Sequence, residues 1–235
     1  MNITKHIQEA FKDADQNKSK VSQHTLSLVG MCGEKTLHLY NNLCNMPNAT
    51  YLEIGMYKGK TFCAAGENNT GIFIGMDNWS QFDGEEAMKQ CVKNITFAQG
   101  QNASIDNEMH WIESNCWDHR VTDFLTEKAE GFPEKAFNIY MFDGPHEVYH
   151  HEDALLKYID LMTDEFIFIV DDFERTSEIL EPAKEGTERA IEKLGLEVVY
   201  HESRMGGDMN PDKPLRSQWW DGVGVYFLRE PKSLK

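Results

Sequence analysis

From residue 48 onward the chain alternates short apolar runs with amphipathic stretches, and this alternation limits the fold more than any other feature of the sequence. The runs cover 50–55, 71–77, 109–114, 136–143, 165–171, 196–202 and 223–229, each of strand length and each bounded by polar or turn residues. Between most of them lie stretches with helical periodicity, at 61–67, 85–94, 121–130, 150–162 and 184–194. Strands that read as almost continuously apolar are buried on both faces, and helices between them supply the cover. The pattern predicts an α/β fold with a doubly wound, mainly parallel, Rossmann-like sheet of about seven strands. The last two runs have only a loop between them, so the sheet is expected to close with an antiparallel hairpin. That loop, 204–220, contains Gly206-Gly207, two prolines and Trp219-Trp220, and is long enough to act as a flap.

The first 46 residues carry a different pattern. Ile7, Ala10 and Phe11 recur at helical spacing, the apolar Leu26, Leu28, Val29 and Met31 precede a Cys32-Gly33 break, and 35–44 is again helical. This predicts a helical cap over 1–46, which either covers a ligand cleft or packs one sheet edge, and it offers a surface for a homo-oligomer. With no repeat and no long linker, a single domain is expected, its core at 48–230.

Charge narrows the partners. Lysine and arginine number 23 against 39 acidic residues, a formal net charge of −16. Such a field repels phosphate backbones and anionic membranes, so neither nucleic acid nor membrane is the expected partner. No apolar stretch reaches the roughly 18 residues of a membrane span, and the polar start lacks a signal-peptide core. The five cysteines are scattered without a C-x-x-C pair, which fits reduced thiols and a cytoplasmic location. Asn48 and Asn94 open N-x-T triplets too short to weigh against this.

In doubly wound sheets the ligand crevice lies beyond the carboxyl ends of the strands. The residues there are Glu53-Ile-Gly55, Asp77, Glu113-Ser114, Asp143 and Asp171-Asp172, and most of these ends carry an acid. Around Gly55 the chain passes from strand through a glycine turn into a helix, a plan suited to a nucleotide-like ligand. A dinucleotide fingerprint needs glycines two and five residues after Gly55, where backbone approaches a pyrophosphate, and this chain has Tyr57 and Lys60. Glu53 instead puts a carboxylate near the turn, which suits an ammonium or sulfonium. Asp77, a little over 20 residues beyond Glu53, is placed to accept two ribose hydroxyls. Ser114, Asn115, Cys116 and Trp117 end the third strand and can border an adenine edge and face, although Trp117 is also readable as core.

Taken together, E-I-G-x-x-x-G-x-T at 53–61, G-x-D-N-W at 75–79, D-G-x-H at 143–146 and V-D-D at 170–172 resemble the class I S-adenosylmethionine-dependent methyltransferases. They are most similar to the small-molecule O-methyltransferase-like group with D-G-x-H and D-D motifs, over roughly 48–230. The resemblance implies that Gly55, Tyr57 and Gly59 line the methionine portion, that Glu53 neighbours it, that Asp77 holds the ribose, and that 114–117 border adenine. Thr61, Asn78 and Asp143 complete the implied cofactor set. A seven-stranded sheet with a reversed final strand is implied as well.

For a hydroxyl acceptor the proton must also be removed, and a histidine or a metal can do this. His146 follows Asp143 on the turn after the fourth strand, and Asp171 and Asp172 end the fifth. The expectation is that His146 is the general base, with Asp143 beside it in the catalytic pair. Asp143, Asp171 and Asp172 are expected to hold Mg2+ or another divalent cation. The plainer reading gives these acids helix-capping and loop hydrogen bonds. Asn78, Trp79, Phe82 and Trp219 are further candidates for the acceptor pocket. His150 and His151 are expected at the surface, and Glu185-Gly-Thr187 as a capping turn. Rival functions on this fold are an NAD-linked oxidoreductase and a metal-dependent hydroxylase or binding protein. Sequence alone leaves the small-molecule substrate unnamed.

Overall fold

The computed structural model describes residues 1–102, 106–128, 135–173, 182–206 and 216–231. Seven strands form one sheet: β1 (Ala49–Ile54), β2 (Gly71–Asp77), β3 (Asn107–Glu113), β4 (Phe137–Phe142), β5 (Met162–Asp171), β6 (Glu197–Met205) and β7 (Gly222–Arg229). Their spatial order is β3-β2-β1-β4-β5-β7-β6. Pairing is parallel from β3 through β5, whereas β7 runs antiparallel to both β5 and β6. The expected hairpin is therefore present, with its last strand inserted inside the sheet and β6 left at the edge.

Side-chain alternation divides the core in two. Tyr51, Phe73, Met109, Ile139, Ile169 and Val225 fall in one apolar cluster, and their neighbours Leu52, Ile74, Tyr140, Phe142, Phe168 and Tyr226 in the other. Period-two geometry sends successive residues to opposite faces, so strands apolar at every position need helices on both sides. The first face is covered by α1 (Ile3–Asp15), α3 (Glu34–Cys44), α4 (Lys60–Gly66) and α5 (Gly84–Gln101). On the second lie α6 (Val121–Lys128), α7 (Val148–Tyr158) and α8 (Pro182–Leu194). The short helices α2 (Gln23–Leu26) and α9 (Arg216–Trp219) join the first face.

Helix α1 buries Ile7, Ala10, Phe11 and Ala14, one stripe at helical spacing, against α3 and the β6–β7 end of the sheet. Packing against the sheet is thus the main role of the N-terminal helices. The segment after α2 does both jobs, because Met31 reaches the cavity described below. Helix α2 stops at Leu26, so Leu28 to Met31 are not helical as expected.

Other boundaries also move. Helix α5 runs on to Gln101 rather than ending at 94, and α7 begins at Val148. Glu185-Gly-Thr187 is no capping turn but lies inside α8. Gly186 sits there because a Cβ would come within 2.1 Å of the Val148 carbonyl oxygen and 2.8 Å of the His151 Cβ. Most of the expected flap, 207–215, falls outside the described residues. Among the described residues no helix is long and apolar enough to cross a membrane.

Strand order reverses between β1 and β4, and there the two carboxyl ends almost touch. The Asp143 amide donates to the Ile54 carbonyl at 2.9 Å, and the Gly55 amide donates to Met76 at 2.9 Å. A Cβ at Gly55, whose φ is +93°, would lie 1.8 Å from the Asp143 carbonyl oxygen. Glycine is required by both the close approach and the positive φ.

The α7–α8 contact yields a stability prediction. Gly186→Ala forces backbone apart at a closed helix crossing and is expected to cost about 1–3 kcal/mol in urea unfolding. An unchanged midpoint would mean that the two helices part easily.

Candidate functional site

At the reversal point a cavity of about 490 Å³ opens beyond the carboxyl ends of the strands. Its volume lies in the usual range for small-molecule sites, and its position is where doubly wound sheets bind ligands. Gly55 and Tyr57 form one wall, Asp77, Asn78 and Trp79 the next, and Ser114 to Trp117 a third. Asp143, His146, Asp171 and Asp172 stand on the far side. The strand ends picked out in the sequence therefore converge.

Glu53, Gly59 and Thr61 are not among the lining residues. Glu53 is fully buried behind the glycine turn, where its carboxylate accepts from the Tyr51 hydroxyl at 2.6 Å and the Thr61 hydroxyl at 2.7 Å. Gly59 caps α4 with a φ of +73°, and a Cβ there would meet the Cys91 sulfur at 2.8 Å. These three residues shape the turn from behind. Burial raises the Glu53 carboxyl from 4.5 to about 7, against the lowering effect of its two hydroxyl donors.

Asp77 joins the turn to the next loop. One of its oxygens accepts from the Tyr57 amide at 2.7 Å, and the other accepts from the Trp79 amide at 2.7 Å. A carboxylate has about four acceptor positions, so two remain for a ligand diol. The Trp79 indole donates to the Tyr57 carbonyl at 2.7 Å, and the Tyr57 hydroxyl donates to Asp83 at 2.8 Å. Tyr57, Trp79, Phe82 and Trp220 all hold φ between +46° and +52°. Such values are outliers for bulky residues, and all four line this cavity.

Trp117 stacks on His150 with ring centroids 5.4 Å apart and lies 6.2 Å from Phe142. It both faces the cavity and packs against the core. His150 lines the cavity too, its Nδ1 2.6 Å from Glu147. His151 is no surface residue: it is 1% exposed, and burial lowers its pKa to about 4.

The acids divide differently from the expected trio. The ligand atoms that lie within 4.8 Å of one another belong to Asp143, His146 and Asp172. His146 Nδ1 is 2.9 Å from an Asp172 oxygen, and its Nε2 is 3.9 Å from Asp143. Asp171, next along the strand, accepts from the Tyr40 hydroxyl at 3.1 Å. Burial, with Asp171 and Asp172 close by, pushes the Asp143 carboxyl well above the usual carboxylate range. Burial and Asp172 do the same to Asp171.

Of the acceptor-pocket candidates, Asn78, Trp79 and Phe82 border the cavity and Trp219 does not. Trp219 is core, its ring 6.1 Å from Phe11, and the neighbouring Trp220 lines the site together with Asp221. A W-W pair carries no signal for which indole faces in. Met31 was also missed, since nothing in the local sequence ties the segment after α2 to the strand ends.

No family model matches the chain, and no curated protein matches it. Solved structures do share its fold. An O-methyltransferase from Bacillus cereus, in complex with SAH, is 14% identical, with 96% of this chain and 91% of that one covered and a TM-score of 0.51. TomG, an O-methyltransferase from Streptomyces achromogenes involved in tomaymycin synthesis and solved with SAM, is 15% identical over 94% and 90%, with a TM-score of 0.50. The chain thus shares its overall fold with these two O-methyltransferases, and at these identities the likeness is one of fold.

The raised Glu53 pKa has a measurable consequence. The folded chain holds this proton more tightly than the unfolded one, so the Glu53 contribution to stability is complete below 4.5 and is lost as pH rises through about 7. Relative to wild type, Glu53→Gln is expected to gain across that window, by up to about 3 kcal/mol. Urea unfolding of both proteins across the window reads the difference; a flat one would assign Glu53 an ordinary pKa.

Proposed function

We propose that this chain is an S-adenosylmethionine-dependent O-methyltransferase acting on a hydroxylated small molecule, with His146 as its general base. The observation that carries the reading is the His146–Asp172 pair at 2.9 Å, facing the same cavity as the glycine turn and Asp77. Bound S-adenosylmethionine would supply a methyl group already activated on a sulfonium.

On the donor side, Gly55 lets the chain pass close to a ligand without a side chain in the way, and Asp77 keeps acceptor capacity for a ribose diol. Asn78 and the 114–117 segment are placed for the nucleoside. Tyr57, where a dinucleotide site needs glycine, argues against a pyrophosphate and so against NAD. The likeness in fold to proteins solved with SAM or SAH supports the same donor.

On the acceptor side, an ionised Asp172 can only accept, so His146 Nδ1 carries the proton toward it and Nε2 is left as the base. His146 is half exposed and can meet a hydroxyl entering from solvent. It takes the hydroxyl proton as the oxygen approaches the methyl carbon, and Asp172 stabilises the imidazolium that forms. Because the donor is activated, orientation supplies much of the remaining acceleration.

A divalent cation fits the same corner. Two carboxylates and one imidazole converge within 4.8 Å, and the crowding that raises the Asp143 pKa would be relieved by a positive charge. Asp143, Asp172 and His146 would hold it, in place of the three aspartates expected from the sequence, and in that state the ion rather than His146 would ease loss of the hydroxyl proton. Such an ion supplies Lewis acidity toward an acceptor oxygen.

Calorimetry with S-adenosylhomocysteine tests the donor: uptake is expected with no matching response to NAD, and no uptake overturns the proposal. With labelled methyl donor and an accepted substrate, His146→Ala should lose about 10²- to 10⁴-fold in kcat. Full activity in that variant removes His146 as base. Loss on chelation, restored by Mg2+, would assign the cation; full activity after chelation would discard it.

A further inference from the structure

We propose that His150 reads the 6-amino group of the donor's purine, accepting from it through Nε2 while Trp117 supplies the stacking face. This rests on the methyltransferase reading and adds the residue that tells adenine from other bases.

Helix α7 holds His150 against the third wall of the cavity. Lys157 and Tyr158 follow it by seven and eight residues and so lie on the same helix face. Three contacts tie that face to the segment after β3. The Tyr158 hydroxyl donates to the Cys116 carbonyl at 3.0 Å, Lys157 donates to the Asp118 carbonyl at 2.9 Å, and the His150 ring stacks on Trp117 at an interplanar angle of 21°. Both rings line the cavity, with Ser114 to Cys116 beside them.

Glu147 sets the tautomer. Its carboxylate lies 2.6 Å from His150 Nδ1, and hydrogen bonds from its own backbone amide and from His150 lower its pKa, so it is ionised and can only accept. In the neutral ring Nδ1 therefore carries the hydrogen and Nε2 is an acceptor. Among the described residues Nδ1 is the only one of the two nitrogens that is hydrogen-bonded. The side chain is 19% exposed, and an acceptor shielded to that degree discriminates between partners more sharply than one in open water.

Purine chemistry selects the group it meets. Adenine joined to a ribose has one N–H donor, its 6-amino group, and only acceptors at its ring nitrogens. Nε2 finds a partner there, whereas the 6-oxo group of hypoxanthine opposes it with lone pairs. The neighbouring wall suits the ring acceptors, because Asn115 Oδ1 is engaged by the Trp117 amide at 2.9 Å and its amino group is left to donate. Trp117 offers a face that any purine accepts, which adds affinity without choosing the base. The choice then falls to His150.

Calorimetry with S-adenosylhomocysteine and S-inosylhomocysteine tests this on wild type and His150→Phe. Wild type is expected to bind the adenosyl compound at least about tenfold more tightly. His150→Phe keeps a ring on Trp117 but loses the acceptor, so the ratio should fall to within about threefold through weaker adenosyl binding, with inosyl affinity held. NMR of wild type with nitrogen-labelled histidine gives a reading that a structural ring would not move, and it decides the matter if the variant does not fold. The Nε2 of His150 is expected to be unprotonated without ligand and to shift with the adenosyl compound alone. Equal binding of the two compounds by wild type, a preference that survives His150→Phe, or an Nε2 that ignores the adenosyl compound overturns the inference and leaves the methyltransferase reading standing. Uptake of neither compound removes that reading and this inference with it.

Discussion

The apposition of the β1 and β4 ends governs the rest of the molecule. Gly55 lies against the Asp143 carbonyl so closely that no side chain fits, and one hydrogen bond from the Asp143 amide to Ile54 locks the two strands at that point. Everything functional radiates from this contact. On one side the turn leads to Tyr57 and Asp77, and on the other Asp143 leads through a tight turn to His146. The two sides of the cavity are therefore held in register by backbone, which is stiffer than a side-chain contact.

The second organising force is unbalanced negative charge. Asp143 and Asp171 are both driven well above the ordinary carboxylate range, mainly by burial, and then by Asp171 in the first case and Asp172 in the second. Leaving such groups near one another costs stability in a chain without ligand. Sites that carry this kind of tension are commonly those where a ligand relieves it. Strained backbone follows the same map: the bulky residues with left-handed φ stand around the cavity, while Asn17, Asn48 and Asn68, of a type that tolerates it, take the same conformation elsewhere.

Much of the fold was legible in the sequence. All seven apolar runs became strands, because strands covered on both faces leave a continuous signature that turns interrupt sharply. Asp77, Asp143 and Asp172, picked out by the rule that places ligands at strand ends, line one cavity. What could not be read is how side chains turn once there. Asp171 and Asp172 are adjacent, yet the first goes to Tyr40 and the second to His146. Trp219 and Trp220 are adjacent too, yet only the second lines the cavity. His151 was expected at the surface because it opens the helix read from 150, but α8 closes over it at Gly186, a long-range contact with no local signature.

The position of β7 bears on how such a chain assembles. Among the described residues β6 pairs only with β7, and β7 must slot between it and β5, so this edge of the sheet stays incomplete until the last strand is in place. Helix α1, at the opposite end of the sequence, packs on that same edge, where Phe11 meets Trp219 and Asp15 pairs with Arg204. The contact of α1 with α3 is local in sequence, whereas its contact with this edge waits for β7. Loop closure over nearly the whole chain makes this second contact a slow, late step, and until then the face of α1 that meets Trp219 lacks its cover.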